Sequence, residues 1–497
     1  MAYAAGLAVG LVGLLPILFV AEATISVGWT QIGSFLLRDR IGQLLTNTAT
    51  LVVTCVMGCV VLGLAAAWLV ERTDLPGRRI WAAALVAPLA VPAFVNSYAW
   101  SSHLPRFEGL AAATVITVLS YYPFVYLPVA AALRGLNGSL EEAALSLGRN
   151  RIRCFFDVVI PQLRVPLLGG ALLVGLHILA EFGALQMIGY ETFTTAILVQ
   201  YQSTFNGTAA TMLSGVLLLC CLLLLSGEIA VRGRARYSPI GPGASRPAAP
   251  VRLGLGRWPA VAAVSLLLVL AVGVPVVGIA RWWSHGSGLS PELGTALLNT
   301  LRLSALGALA TVIAALPIAW LAVRRRGPLS TAIERCAYLT SSLPGVVVAL
   351  ALVTASVRLL PTAYQTSALV VAGYVILFLP RALVCLRSVV GQIGPELDEV
   401  ARTLGASSAK RFARLTFPLL APGLTAGVAF VFLAGSTELT ATLLLAPTGT
   451  VTLATQFWSH SDSLDYAAAA PYAATMIVLG APLTYLLLHQ SRVVRGR

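Results

Sequence analysis

The side chains that could do chemistry in this 497-residue chain are few, and two sets of them occur twice in register. The first set lies in "EEAALSLGRNRIRCFFDVVIP" at 141–161, which matches "DEVARTLGASSAKRFARLTFP" at 398–418 without a gap. Glu142 falls on Glu399, Ala143 on Val400, Ala144 on Ala401, Gly148 on Gly405 and Pro161 on Pro418. Leu140, Ala143, Ala144 and Leu147 recur at helical spacing, which predicts a short helix with one apolar stripe. Gly148 and Gly405 follow where a helix end favours positive φ, and Pro161 and Pro418 are expected to break the chain before the next apolar run. An acidic helix start can pair with a cation on a partner, and small side chains let another backbone approach. A lone copy would read as an amphipathic helix lying on a membrane surface. Two copies facing the same side fit a docking element for a two-fold partner.

The second set is Glu181 in "LAEFGA" and Glu438 in "STELTA", at the same offset as the charged segments. Both fall in apolar runs, where a carboxylate is costly and faces a cavity or a partner. One reading places them on a translocation path, with oxygens suited to a hard trivalent cation. The other is a structural hydrogen bond between helices, with Thr437 or Thr440 within reach of Glu438. His177 lies one turn before Glu181 but meets Ala434 in the other copy, so it reads as a packed histidine. No spacing among the remaining histidines defines a metal site. The seven cysteines give no disulfide or metal framework, and Cys154 is expected to be a cytoplasmic thiol.

The elements that must position these residues are membrane spans. Hydrophobic residues make up 58% of the chain, charged residues only 10%, and the mean hydropathy is +0.86. Soluble domains carry about 25% charged residues, so a water-soluble fold is excluded. Apolar runs of roughly 20 residues recur about six per half, near 4–27, 48–70, 80–100, 111–133, 165–188 and 209–231, then 259–280, 297–323, 333–357, 367–386, 421–446 and 471–489. The first has no basic n-region and reads as a retained span. The net charge of +14 collects in alternate loops, including Arg72, Arg78, Arg79 and Arg324–Arg326, as the positive-inside rule requires. That pattern argues against nucleic acid as a partner and places both termini in the cytoplasm.

The duplication extends beyond the charged segments. Pro123 matches Pro380, while Asn47-Thr48 matches Asn299-Thr300 and Ala67-Trp68-Leu69 matches Ala319-Trp320-Leu321 at an offset five residues smaller. Each half has an even number of spans, so the repeat is parallel, with both charged segments on the cytoplasmic side. The halves are expected at 1–231 and 258–497, joined by a Pro-, Gly- and Arg-rich cytoplasmic linker at 232–257.

"EEAALSLG" and "DEVARTLG", each closed by its proline, resemble the EAA loop of ABC-importer permeases, which contains the helix that couples to an ATPase. The second copy departs by carrying Val400 where the first alanine is expected. The resemblance implies an all-α polytopic membrane protein of about twelve transmembrane helices, two parallel repeats of a type I (MetI-like) importer domain. It assigns ATPase coupling to Glu142, Ala143, Ala144 and Gly148 and to Glu399, Val400, Ala401 and Gly405. It also implies two cytoplasmic ABC ATPase subunits and an external binding protein as partners, in a bacterial cytoplasmic membrane. No P-loop occurs, and the one lysine, Lys410, does not fit one, so ATP and Mg belong to the partner ATPase and no cofactor is expected on this chain. The fused two-domain form with "APLAVPAFVNSYAW" at 87–100 resembles ferric-iron importers, with thiamine and phosphonate importers as alternatives. A twelve-helix secondary transporter is the rival class, but it gives no reason for two EAA-like helices. An intramembrane enzyme would need a His/Asp or Ser/His constellation that the spans do not offer.

Overall fold

The computed structural model describes residues 2–493 except 27, 105, 137, 203–206, 233–249, 287, 289, 326, 341–342, 392–400 and 404–406. Among the described residues every regular element is helical, and one isolated bridge joins Thr73 to Val251. Among the described residues eight helices are long and apolar enough to cross a membrane, or ten when each of two bent pairs counts as one span. The dozen apolar runs all fall on helices, but the third run of each half is split. In the first half, 78–90 and 93–103 meet at 86°, and in the second Pro328–Leu339 is followed by a separate helix, Gly345–Leu359. Pro92 and Pro344 stand immediately before the second piece of each pair. Each lacks an N–H and holds the chain extended at a point where a straight helix would need both an N–H and helical torsions.

The chain forms two compact units. One comprises Leu36–Ala196 and Leu219–Ser284. Its centre is the long helix Asp39–Arg72, packed against Gly109–Tyr121, Pro123–Gly135 and Ile160–Ala180. Apolar helices in lipid gain little from burying one greasy face against another, so they associate through close backbone approach at small residues. Gly63 and Gly170 provide it. A Cβ on Gly63 would stand 2.9 Å from the Tyr126 nitrogen, and one on Gly170 2.9 Å from the Val125 Cα. The first span of the second half also packs here, with Gly278 against Ala99 and His103.

The other unit comprises Met1–Phe35, Ile197–Leu218 and His285–Arg497. Its centre is Pro291–Arg324, packed on Ser367–Val390 and Phe417–Ser436. Gly307 faces the Tyr374 ring, and Gly423 faces Val389. The chain's first helix, Ala2–Ser26, belongs to this unit, with Gly6 against Leu321. Each compact unit therefore takes its opening helix from the opposite sequence repeat.

The segments after the docking helices run differently from expectation. Pro161 does not break the chain. A continuous helical stretch, 151–180, passes through it by way of one π-helical turn at Phe155–Val159. The same turn recurs at Phe412–Thr416, before Pro418, in exact register with the first. A proline ring collides with the carbonyl four residues back in a regular helix, and the wider turn relieves that collision without ending the helix.

Candidate functional site

The candidate docking helix of the first repeat spans Ser139–Ser146 and has no buried residue. Its end is closed by a Schellman arrangement: Gly148 N–H donates to the Leu145 carbonyl at 3.0 Å, and Arg149 N–H to the Ala144 carbonyl at 3.1 Å. Gly148 sits at φ +82°, the left-handed conformation expected of it. Leu140, Leu145 and Leu147 are exposed, Leu147 by 85%. The apolar stripe read from the sequence thus points away from this chain's own core.

Two adjacent glutamates divide the work. Glu141 turns inward, and both its carboxylate oxygens accept from the Arg72 guanidinium, a side chain only 5% exposed. Arg72 lies 5.5 Å over the Trp68 ring, which meets Phe155 edge-on at 4.7 Å. Glu142 is exposed, together with Ala143, while Ala144 is half-buried. The inner glutamate fastens the helix to the second span, and the outer one stays at the surface. Asn150 caps the following turn, accepting from Arg153 N–H at 2.8 Å, and Arg149 pairs with Asp157. In the second repeat Ala401–Thr403 is helical, but Glu399, Val400 and Gly405 lie outside the described residues. The stacked arginine recurs there: Arg324 lies 5.2 Å over Trp320 as Arg72 does over Trp68. Sequence reasoning placed Arg72 in a basic loop and missed this role, although the Trp-x-x-x-Arg spacing, repeated at Trp320 and Arg324, carried the signal.

Replacing Arg72 with leucine should loosen the docking helix by about 3 kcal/mol, because it strands the half-buried Glu141 carboxylate. Amide exchange across 139–148 is expected to accelerate while the spans keep their protection. Unchanged exchange would mean that Glu141 does not hold the helix.

Glu181 and Glu438 occupy a second repeated arrangement. Glu181 ends the helix Ile160–Ala180, and its carboxylate accepts from the Ala184 N–H at 2.9 Å and from the Tyr121 hydroxyl. Glu438 follows Phe417–Ser436 and accepts from the Ala441 N–H at 3.0 Å. Each carboxylate therefore caps the short helix beyond the break, Gly183–Met187 or Thr440–Leu445. Both are half-buried. The Thr437 hydroxyl turns back to the Leu433 and Ala434 carbonyls of its own helix.

The surroundings of the two differ. Tyr121 is replaced by Phe378 in the second repeat and Phe124 by Arg381. Arg381 lies over Phe378 at 5.1 Å and Phe430 at 5.6 Å, within electrostatic reach of Glu438. His177 packs on Phe124 at 4.3 Å, and its Nδ1 lies 2.8 Å from the Leu173 carbonyl. Among the described residues no three His, Cys, Asp or Glu side chains are grouped to hold a metal.

The sequence profile of the family "Binding-protein-dependent transport system inner membrane component" matches residues 60–232 and 298–496. Both matches begin after the opening helix of their half. The Fe(3+)-transport system permease protein FbpB 2 of Haemophilus influenzae is 38% identical over 485 residues, covering 96% of each chain. The ferric transport system permease protein FbpB of Actinobacillus pleuropneumoniae is 24% identical over 419 residues, 78% of this chain and 60% of that one. The sulfate transport system permease protein CysT of Salmonella typhimurium is 29% identical over 240 residues, 43% of this chain and 85% of that one. With the profile matched in both halves and a full-length relative at that identity, the chain belongs to the inner-membrane permease components of binding-protein-dependent transport systems.

Proposed function

We propose that this chain supplies both membrane domains of an ATP-driven importer that carries ferric iron inward from an external binding protein. The observation that carries the reading is the docking helix, held from inside through Glu141 and presenting Leu140, Leu147 and Glu142 outward, in a chain 38% identical over nearly its whole length to a ferric-iron permease. An exposed apolar stripe beside an acidic side chain suits a groove on a cytoplasmic ATPase. The repeat at Glu399, Val400, Ala401 and Gly405 supplies a second such surface, so two ATPase subunits engage one copy of this chain. ATP and Mg are used by those subunits. The basic residues in alternate loops support a bacterial inner-membrane orientation with the docking helices and both termini on the cytoplasmic side. Glu181 and Glu438 contribute carboxylates to the translocation path, where they attract the cation yet release it. The sulfate permeases match less than half of this chain, so they speak for the shared architecture rather than for its cargo.

Reconstitution of the chain with its ATPase and binding protein tests this. We expect ATP-dependent uptake of ferric iron, a complex of two ATPase subunits per permease chain, and no uptake when the ATPase is omitted. Uptake by the permease alone would overturn the mechanism, and a binding protein that selects sulfate, thiamine or a phosphonate would overturn the cargo.

A further inference from the structure

The matched pairs Asn47-Thr48 and Asn299-Thr300 play no part in docking, yet the structure gives them one shared task. Each lies in the second span of its repeat and fastens a segment far away in sequence. Asn47 Nδ2 donates to the Glu191 carbonyl at 3.2 Å, and Asn299 Nδ2 to the Val451 carbonyl at 3.0 Å. Phe193 N–H donates to Thr48 Oγ1 at 3.4 Å, and Leu453 N–H to Thr300 Oγ1 at 2.8 Å. Thr48 and Thr300 are 4% and 2% exposed, and Phe193 and Leu453 are fully buried. At such depth the hydroxyl takes the place that water would fill for the amide.

The fastened segments are themselves a repeat. Gly189 and Gly449 turn the chain at φ +68° and +84°. Three residues on, Thr192 and Thr452 open a helix, each donating its N–H to the hydroxyl of Thr195 or Thr455, at 2.9 and 2.8 Å. Their offset is three residues larger than that of the carboxylates, which hid the match in a gapless comparison. Each segment returns from one of the two carboxylates. In the first repeat Thr194 Oγ1 donates to the Glu181 carbonyl at 2.6 Å and lies 2.9 Å from Thr192 Oγ1. In the second, the bond to the Glu438 carbonyl comes from the intervening short helix Thr440–Leu445 and not from the fastened segment: Thr442 Oγ1 donates to it at 2.8 Å and bonds the Tyr374 hydroxyl at 2.7 Å.

We propose that the two Asn–Thr pairs are positioning residues for transport, clamping the segment that returns from each carboxylate and thereby setting where Glu181 and Glu438 stand along the path. The proposal rests on the reading of those carboxylates as path residues, whereas the clamp itself stands on backbone geometry. The test is the Thr48→Val, Thr300→Val double variant of the full chain, because valine keeps the shape and removes the acceptor. In lipid nanodiscs, amide exchange at Phe193 and Leu453 is expected to accelerate about tenfold, the size of one lost hydrogen bond. Uptake of radiolabelled ferric iron, presented on the external binding protein, should fall at least fivefold while stimulated ATP hydrolysis persists. Thr48→Ser, Thr300→Ser should restore both.

Unchanged exchange would remove the clamp. Faster exchange with full uptake would leave only a structural bond, and serine variants as poor as valine would assign the effect to packing. A Glu181→Gln, Glu438→Gln variant run in parallel separates the two readings. If it transports normally while the valine variant does not, positioning of the carboxylates is refuted although the exchange result stands. Should the double valine variant fail to insert, each single variant leaves the other clamp intact and carries the same comparisons.

Discussion

Replacing Gly148 with valine is expected to cut cargo uptake at least tenfold while the chain still inserts and its spans stay folded. The expectation follows from two facts about one position. Gly148 sits at φ +82°, where a β-branched side chain is strained, and a Cβ there would meet nothing within 4 Å. Steric crowding is therefore absent, and the whole effect is conformational. Strain of that kind costs about 1–3 kcal/mol, enough to shift the Schellman turn that ends the docking helix at its correct angle. The helix has no buried residue in the chain itself, so losing its end geometry harms the docking surface before it harms the core. Asparagine tolerates the left-handed region, so Gly148→Asn should retain most uptake and Gly148→Val little. Uptake, stimulated ATP hydrolysis and co-purification with the ATPase would be measured together. Equal uptake by the valine and asparagine variants would show that the turn's conformation does not set coupling. By the repeat, Gly405→Val should compound the loss.

That turn was legible in the sequence because it is local: an apolar stripe, then a glycine, then a charged stretch, written twice. The all-helical spans were legible for a related reason, since a continuous apolar run of roughly 20 residues fits a helix, which satisfies its own backbone in lipid. What stayed hidden depends on which faces meet. Ala2–Ser26 is apolar nearly all round, so nothing in its pattern announces that it packs in the unit built on the second repeat. The division of labour between Glu141 and Glu142 was hidden because adjacent side chains on a helix point about 100° apart, and only the position of Arg72 tells which one faces inward. Pro161 and Pro418 read as chain breaks because proline reports a local conflict and not how the helix resolves it. The bends in the third runs stay hidden because a hydropathy window averages across Pro92 and Pro344.

Replacing both Glu181 and Glu438 with glutamine is expected to lower ferric-iron uptake at least tenfold while ATP hydrolysis stimulated by the loaded binding protein persists. The geometry makes this substitution a clean one. Each carboxylate accepts a backbone N–H, from Ala184 or Ala441, and a glutamine Oε1 can keep that bond while losing the charge. Alanine would lose the cap as well, adding about 1 kcal/mol of destabilisation that confuses structure with transport. The two sites should not respond alike. Glu181 takes a neutral donor, Tyr121, at its other oxygen, where a glutamine NH2 can instead donate to the phenol oxygen, so the single variant should fold as the parent does. Glu438 stands near the half-buried Arg381, whose charge is then left without its opposite, so Glu438→Gln should be the less stable single variant. Arg381→Phe, which copies the first repeat, should restore that stability without restoring transport. If the double glutamine variant transports at the parent rate, both carboxylates are helix caps and nothing more. If uptake falls only in proportion to the loss of folded protein, the same conclusion follows, because a charge on the path must act on cargo in molecules that are intact.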